Sequence, residues 1–224
     1  WSIASHSGRS ILVPPSASLA WRALITTSPW SAASLLRPGG VNMTSNLNNW
    51  MAASQPVKIT GDPLPAFDSK ANPDPAVATK APILDGLNFN SQPMKVDAAD
   101  GAYMLVFLAH WCPHCNAEVP RLIAWKNSGA VPADLRIIGV ATAVDSGSVN
   151  FPPAQWFSDK GWPWPVMVDE STGNGLAGKA AAAYGATGWP YFVIVGKDGK
   201  VKNRTSGEVA IADLQKIVDA ALAA

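Results

Sequence analysis

Only two cysteines, Cys112 and Cys115, and three histidines, His6, His110 and His114, occur in 224 residues. A structural zinc centre takes about four ligands of such types, and covalent haem attachment needs histidine directly after the second cysteine. Asn116 stands at that position, so both readings fit poorly. Charge is also scarce: charged residues make up 15%, and 17 Lys+Arg against 16 Asp+Glu leave a net +1. Nothing in that balance points to nucleic acid. No run of about 18 apolar residues is present, so no membrane span is encoded in these residues.

Acids are missing altogether from residues 1–61, which hold Arg9, Arg22, Arg37 and Lys58; the first carboxylate is Asp62. Short, broken apolar patches in a Ser-, Ala- and Arg-containing stretch read as a leader, targeting or disordered segment over 1–60 rather than as a folded domain. Met43 is an alternative true start, and no unbroken apolar core of a secretory signal is evident. Residues 61–80 carry Pro63, Pro65, Pro73 and Pro75, which remove backbone donors and break helices. This reads as a proline-rich linker lying over the surface of a domain spanning 81–224.

What the chain does have is concentrated in His110-Trp111-Cys112-Pro113-His114-Cys115-Asn116-Ala117-Glu118-Val119-Pro120. The apolar run Tyr103 to Ala109 leads into it as a buried strand without polar alternation, and a helix from Pro113 to about Asn127 leads out. Proline is a natural first helical residue, which places Cys112 at the helix cap. There unpaired N–H groups and the positive end of the helix dipole favour the thiolate, the reactive form. Cys115 falls one turn in, followed by Val119 and Leu122 on the same face, and is expected to be covered while Cys112 is exposed. Such inequality suits an attacking Cys112 and a resolving Cys115, with His114 as an added donor beside the first sulfur. A purely structural disulfide competes, but so short a loop constrains the unfolded chain little. Glu118, on spacing alone, reads as an ordinary solvated helix glutamate.

The remaining order is legible in outline. Ile83 to Phe89 and Pro93 to Val96 form a short hairpin. Leu135 to Ala141 is a second buried strand, a short helix begins at Pro152-Pro153, and Val166 to Val168 is a brief strand. An Ala-rich helix covers Leu176 to Tyr184. Tyr191 to Val195 and Val201 to Ser206 flank the turn signal Lys197-Asp198-Gly199-Lys200, and Ile211 to Leu222 is an amphipathic closing helix. Pro120 is expected to bend the first helix. The tryptophans Trp111, Trp156, Trp162, Trp164 and Trp189 read as core or loop packing, with an apolar groove as the sharper alternative, and His110 reads as structural.

This β-α-β then β-β-α order, with Cys-x-x-Cys opening the first helix and Trp189-Pro190 before a late strand, resembles the thioredoxin superfamily over residues 81–224. The early hairpin and the helical insertion at 150–184 are similar to its TlpA-like extracytoplasmic branch. The resemblance implies an α/β thioredoxin fold with an N-terminal hairpin and an extra helical insertion, and a protein thiol–disulfide oxidoreductase. It implies Cys112 as nucleophile, Cys115 as resolving thiol, Pro120 as the kink proline, and Pro190 as a cis-proline that meets the bound peptide together with Trp189 and Trp111, the aromatic before the first cysteine. Glu118 matches an acid that relays protons at the buried thiol. Pro113-His114 departs from the family's reductases and matches the strongly oxidising DsbA type, which leaves the direction of electron flow open. Expected partners are Cys-containing proteins and a redox partner protein, with no cofactor and no metal. The expected setting is a monomer outside the bacterial cytoplasm, with an anchor in a segment not included here; a cytoplasmic thioredoxin is the alternative. A metal-binding or redox-inert module of the same fold is the rival from a different functional class.

Overall fold

The computed structural model describes residues 53–224; the expected leader up to residue 52, including Met43, lies outside them. The strands are β1 (Lys58–Thr60), β2 (Ile83–Leu87), β3 (Pro93–Val96), β4 (Tyr103–Leu108), β5 (Arg136–Ala141), β6 (Val166–Val168), β7 (Tyr191–Val195) and β8 (Val201–Ser206), and the helices are α1 (Pro113–Asn127), α2 (Pro153–Asp159), α3 (Lys179–Ala183) and α4 (Ile211–Ala223). Among the described residues one sheet runs β1-β2-β6-β5-β4-β7-β8, with β3 on the free edge of β2. β4 pairs parallel to β5 and antiparallel to β7, and β6 continues the parallel set beside β5.

The run 103–108 lacks polar alternation because both faces of β4 are covered. Met104, Val106 and Leu108 point into one core with Val119, Leu122 and Trp125 of α1 and Leu214 and Val218 of α4. Tyr103, Leu105 and Phe107 point into the other, with Tyr184, Tyr191 and Val193. Burying each such aliphatic side chain contributes roughly 1.5–3 kcal/mol, so this strand is a rigid mount for whatever follows it.

The domain begins earlier than Ala81. Lys58–Thr60, assigned above to the leader, pairs with β2 through Ile59 opposite Leu84, and the proline-rich stretch is bonded into the domain rather than merely laid over it. The N–H groups of Leu64 and Phe67 donate to Ala183 O and Gly185 O, each at 2.8 Å, and Ala78 N–H donates to Val201 O at 2.8 Å. Prolines exclude helix here, but the donors that remain find partners, and Leu64 and Ala76 are buried. Arg204, wholly buried, clamps the stretch: its Nε donates to Asp74 Oδ2 at 2.8 Å and its Nη1 to Pro65 O at 2.6 Å. The Ala-rich helix is shorter than expected, ending before Gly185, whose φ of +71° lies in the left-handed region natural to glycine past a helix end. A side chain there would also strike the Pro65 carbonyl. Helix α1 runs on through Pro120.

Candidate active site

β4 ends at Leu108 and α1 begins at Pro113, so residues 109–112 are carried to the end of the sheet's central strand. Cys112 is the N-cap residue of α1, with extended backbone and no formal capping bond from its side chain. The Cys115 thiol and the N–H dipoles of Cys115 and His114 nevertheless act on its sulfur. Both cysteines are free thiols in this structure. Cys112 is less open than the sequence suggests, with 5% of its surface exposed against none for Cys115. The cover comes from the loop opposite: the Cys112 thiol approaches Trp189 O at 3.6 Å. The Trp189–Pro190 peptide is cis, as are Asn72–Pro73 and Phe151–Pro152.

The two sulfurs differ more in charge preference than in exposure. The hydrogen bond from the Cys115 thiol, then the local N–H groups and the charge of His114, lower the Cys112 thiol to about 6 against the opposing effect of burial. Burial, followed by the neighbouring Cys112, pushes the Cys115 thiol far up, and the nearby Glu118 charge adds to this. A helix N-terminus and a donating neighbour thus leave one thiolate and one thiol at neutral pH.

His114 is exposed, and its Nδ1 donates to Glu208 Oε1 at 2.8 Å; this bond, then the Cys112 charge, raises the imidazole above its ordinary value. Glu118 is not a solvated glutamate. It is fully buried, its Oε2 accepts from Arg121 Nη1 at 3.3 Å and from Val209 N–H at 3.4 Å, and its Oε1 has no partner among the described residues. Burial raises its carboxyl above the usual range. A carboxyl with one buried oxygen free, one turn on from a buried thiol, is equipped to take and return a proton.

Around the motif the packing fixes what the reaction must hold still. The Trp111 indole donates to Ala143 O at 2.6 Å. His110 is buried; its Nδ1 must donate to Val149 O at 2.8 Å, which leaves Nε2 to accept Asp145 N–H at 3.3 Å. That pairing selects the neutral Nδ1–H tautomer, and burial lowers the imidazole further. Asn116 donates to Cys112 O at 3.0 Å and to His110 O at 3.2 Å and accepts from the Trp156 indole at 2.9 Å, so the loop and helix cap are stitched together. Pro113 is exposed and Pro190 buried. The named tryptophans are buried or half-buried packing residues; the exposed apolar side chains nearby are instead Val149 and Phe151.

Cys112, Cys115, Pro113, His114, Trp111, Trp189 and Pro190 thus converge at one end of the sheet, with Glu118 beneath. Sequence reasoning missed Glu208 and Arg121. Arg121 carried a local signal, an acid–base pair three residues apart on one helix; Glu208, in the loop before α4, carried none.

A model of the AhpC/TSA family matches residues 74–204, more than half of the chain. No curated protein matches the sequence. Among solved structures, a thiol:disulfide interchange protein of the thioredoxin family from Chlorobium tepidum TLS is 24% identical, covering 64% of this chain and 96% of that one with a TM-score of 0.50. A second protein of Chlorobium tepidum, provisionally described as a thiol:disulfide interchange protein DsbE, is 19% identical over 65% of this chain and 96% of that one, again at 0.50. StoA from Bacillus subtilis, at 15% identity, covers 64% and 99% with a TM-score of 0.49. The likeness to the two Chlorobium structures shows that the fold is thioredoxin-like.

Proposed function

Because the chain belongs to the AhpC/TSA family, we propose that it is a TlpA-like thiol–disulfide oxidoreductase acting on protein partners through Cys112 and Cys115. The observation that carries the reading is the pairing of a helix-capping thiol at about 6 with a buried thiol held protonated beside it. A stabilising or metal-holding pair has no need of that inequality, whereas exchange through a mixed disulfide depends on it.

Written in the reducing direction, the Cys112 thiolate attacks one sulfur of a substrate disulfide, and the other substrate sulfur leaves as a thiolate that takes a proton from water or the His114 imidazolium. Cys115 then gives its proton to the Glu118 carboxylate and attacks the Cys112 sulfur. The substrate's second sulfur leaves, the substrate gains two electrons and the protein holds the Cys112–Cys115 disulfide. The oxidising direction is the reverse, with Glu118 returning the proton to Cys115. Trp189 O, 3.6 Å from the Cys112 sulfur, is placed to face the segment that carries the substrate cysteine.

The thiol value is intermediate and lies nearer the reducing end of the range. Thioredoxin and DsbA have nucleophilic thiols at ~7 and ~3.5 and potentials of about −270 and −120 mV; a thiol at about 6 falls between them, closer to thioredoxin. We place the protein outside the cytoplasm on the resemblance to the TlpA-like branch. Insulin reduction by dithiothreitol tests the activity. Faster precipitation of the insulin B chain with the protein than without supports it; equal rates together with retained copper or zinc favour the metal-binding module instead.

A further inference from the structure

One carboxylate, Glu208, touches both ends of the dithiol machinery although it lies far from the motif in sequence. Its Oε1 accepts from His114 Nδ1 at 2.8 Å and its Oε2 from Arg121 Nη1 at 2.7 Å. The same Arg121 nitrogen reaches Glu118 Oε2 only at 3.3 Å. The next residue, Val209, donates its N–H to that Glu118 oxygen at 3.4 Å. The loop before α4 therefore grips α1 at three residues, His114, Glu118 and Arg121. Its outer contact is the imidazole beside Cys112, and its inner contact is the carboxyl below Cys115.

We propose that Glu208 is a positioning residue for thiol exchange, which holds the His114 imidazolium at the nucleophile and draws Arg121 away from Glu118 so that the buried carboxyl keeps its proton-accepting strength. The proposal rests on the oxidoreductase reading, because only there do a charged imidazole and a basic Glu118 have a task.

The sign at each end follows from the charges. Facing His114 are Glu208 and the Cys112 sulfur, and both anions favour imidazolium. Facing Glu118 are Val209 N–H and Arg121, which favour carboxylate, and on the other side of the balance Glu208 and the Cys115 thiol. Facing Glu208 are His114 and Arg121. Removing the Glu208 charge takes the nearest anion from His114 and leaves at most a neutral acceptor, and its midpoint falls. The same change frees Arg121 to close on Glu118 and removes a like charge, and the Glu118 midpoint falls as well. A loop that only held the helix in place would move neither in this concerted way. Its loss would instead lower stability and leave the pH profiles where they were.

The test is Glu208→Gln, which keeps size and shape, beside Glu208→Asp as the conservative rescue. Two readings are taken. The first is an NMR titration of the His114 ring protons in the reduced protein, which needs no activity. The second is the pH profile of release of glutathione from a preformed Cys112–glutathione mixed disulfide, in which Cys115 is the attacking group. The expected result is a shift of both midpoints to lower pH in Glu208→Gln, restored in part by Glu208→Asp. Unchanged midpoints in a folded Glu208→Gln protein would overturn the proposal, as would a shift at His114 alone. If wild-type protein releases no glutathione at any pH, the oxidoreductase reading has failed, and the His114 titration still decides whether Glu208 holds the imidazole.

Discussion

Alkylation of the reduced protein by iodoacetamide, followed across pH by mass spectrometry, reads the Cys112 thiolate directly. The Cys112 thiol is lowered from 9.0 to about 6. At pH 7 such a site is about 90% thiolate against about 1% for an ordinary cysteine, a gain of about ninetyfold in reactive form. The more acidic thiol is the weaker nucleophile, and a Brønsted coefficient of about 0.4–0.5 over three units takes back about fifteen- to thirtyfold. The net advantage at pH 7 is therefore only about three- to sixfold. At pH 5 the thiolate ratio is larger and the advantage grows to about thirty- to sixtyfold, whereas by pH 8 the ordinary thiol reacts faster. A crossover against a model cysteine peptide between pH 7 and 8, with a Cys112 midpoint near 6 and Cys115 unmodified, is the expected profile. A midpoint near 9, or equal labelling of both cysteines, would refute the reasoning. The same shift has a stability consequence. A thiol whose folded midpoint is depressed contributes stability that is present above its unfolded value of 9.0 and is lost as the pH falls through about 6. Unfolding midpoints of the reduced form should accordingly rise relative to the disulfide form from pH 6 to 9.

Three other perturbations probe separate parts of the account. Glu118→Gln should slow the Cys115 step and flatten its pH profile in stopped-flow measurements, and an unchanged rate across pH would remove the relay. His114→Ala should raise the Cys112 midpoint and lower the reduction potential against glutathione; no change in either would remove its role. Arg204→Ala leaves Asp74 and Pro65 O without their buried partner, a loss of about 3–5 kcal/mol for a broken buried pair, and urea unfolding should show it. A loss under about 1 kcal/mol would mean that residues 61–80 are not clamped into the domain.

The elements that carry the dithiol were legible because their signals are local. An apolar run without alternation, proline at the first helical position and cysteines one turn apart place β4, α1 and the two sulfurs with their boundaries nearly correct. The structure differs where non-local partners decide. Lys58–Thr60 becomes a strand because β2 offers an open edge, and the proline-rich stretch is ordered by Arg204, well over a hundred residues away. The burial of Glu118 and the bridge through Glu208 depend on α4 and its preceding loop folding back on α1. Spacing along α1 cannot report that. Coverage of Cys112 likewise comes from the Trp189–Pro190 loop, which the motif itself does not encode.

Trapping with single-cysteine variants tests most directly whether the two sulfurs have different jobs. Incubated with a disulfide-bonded protein, Cys115→Ser should accumulate a stable mixed disulfide through Cys112, while Cys112→Ser should form little or none under the same conditions. Equal trapping by both variants, or trapping by Cys112→Ser alone, would contradict the assignment of nucleophile and resolving thiol.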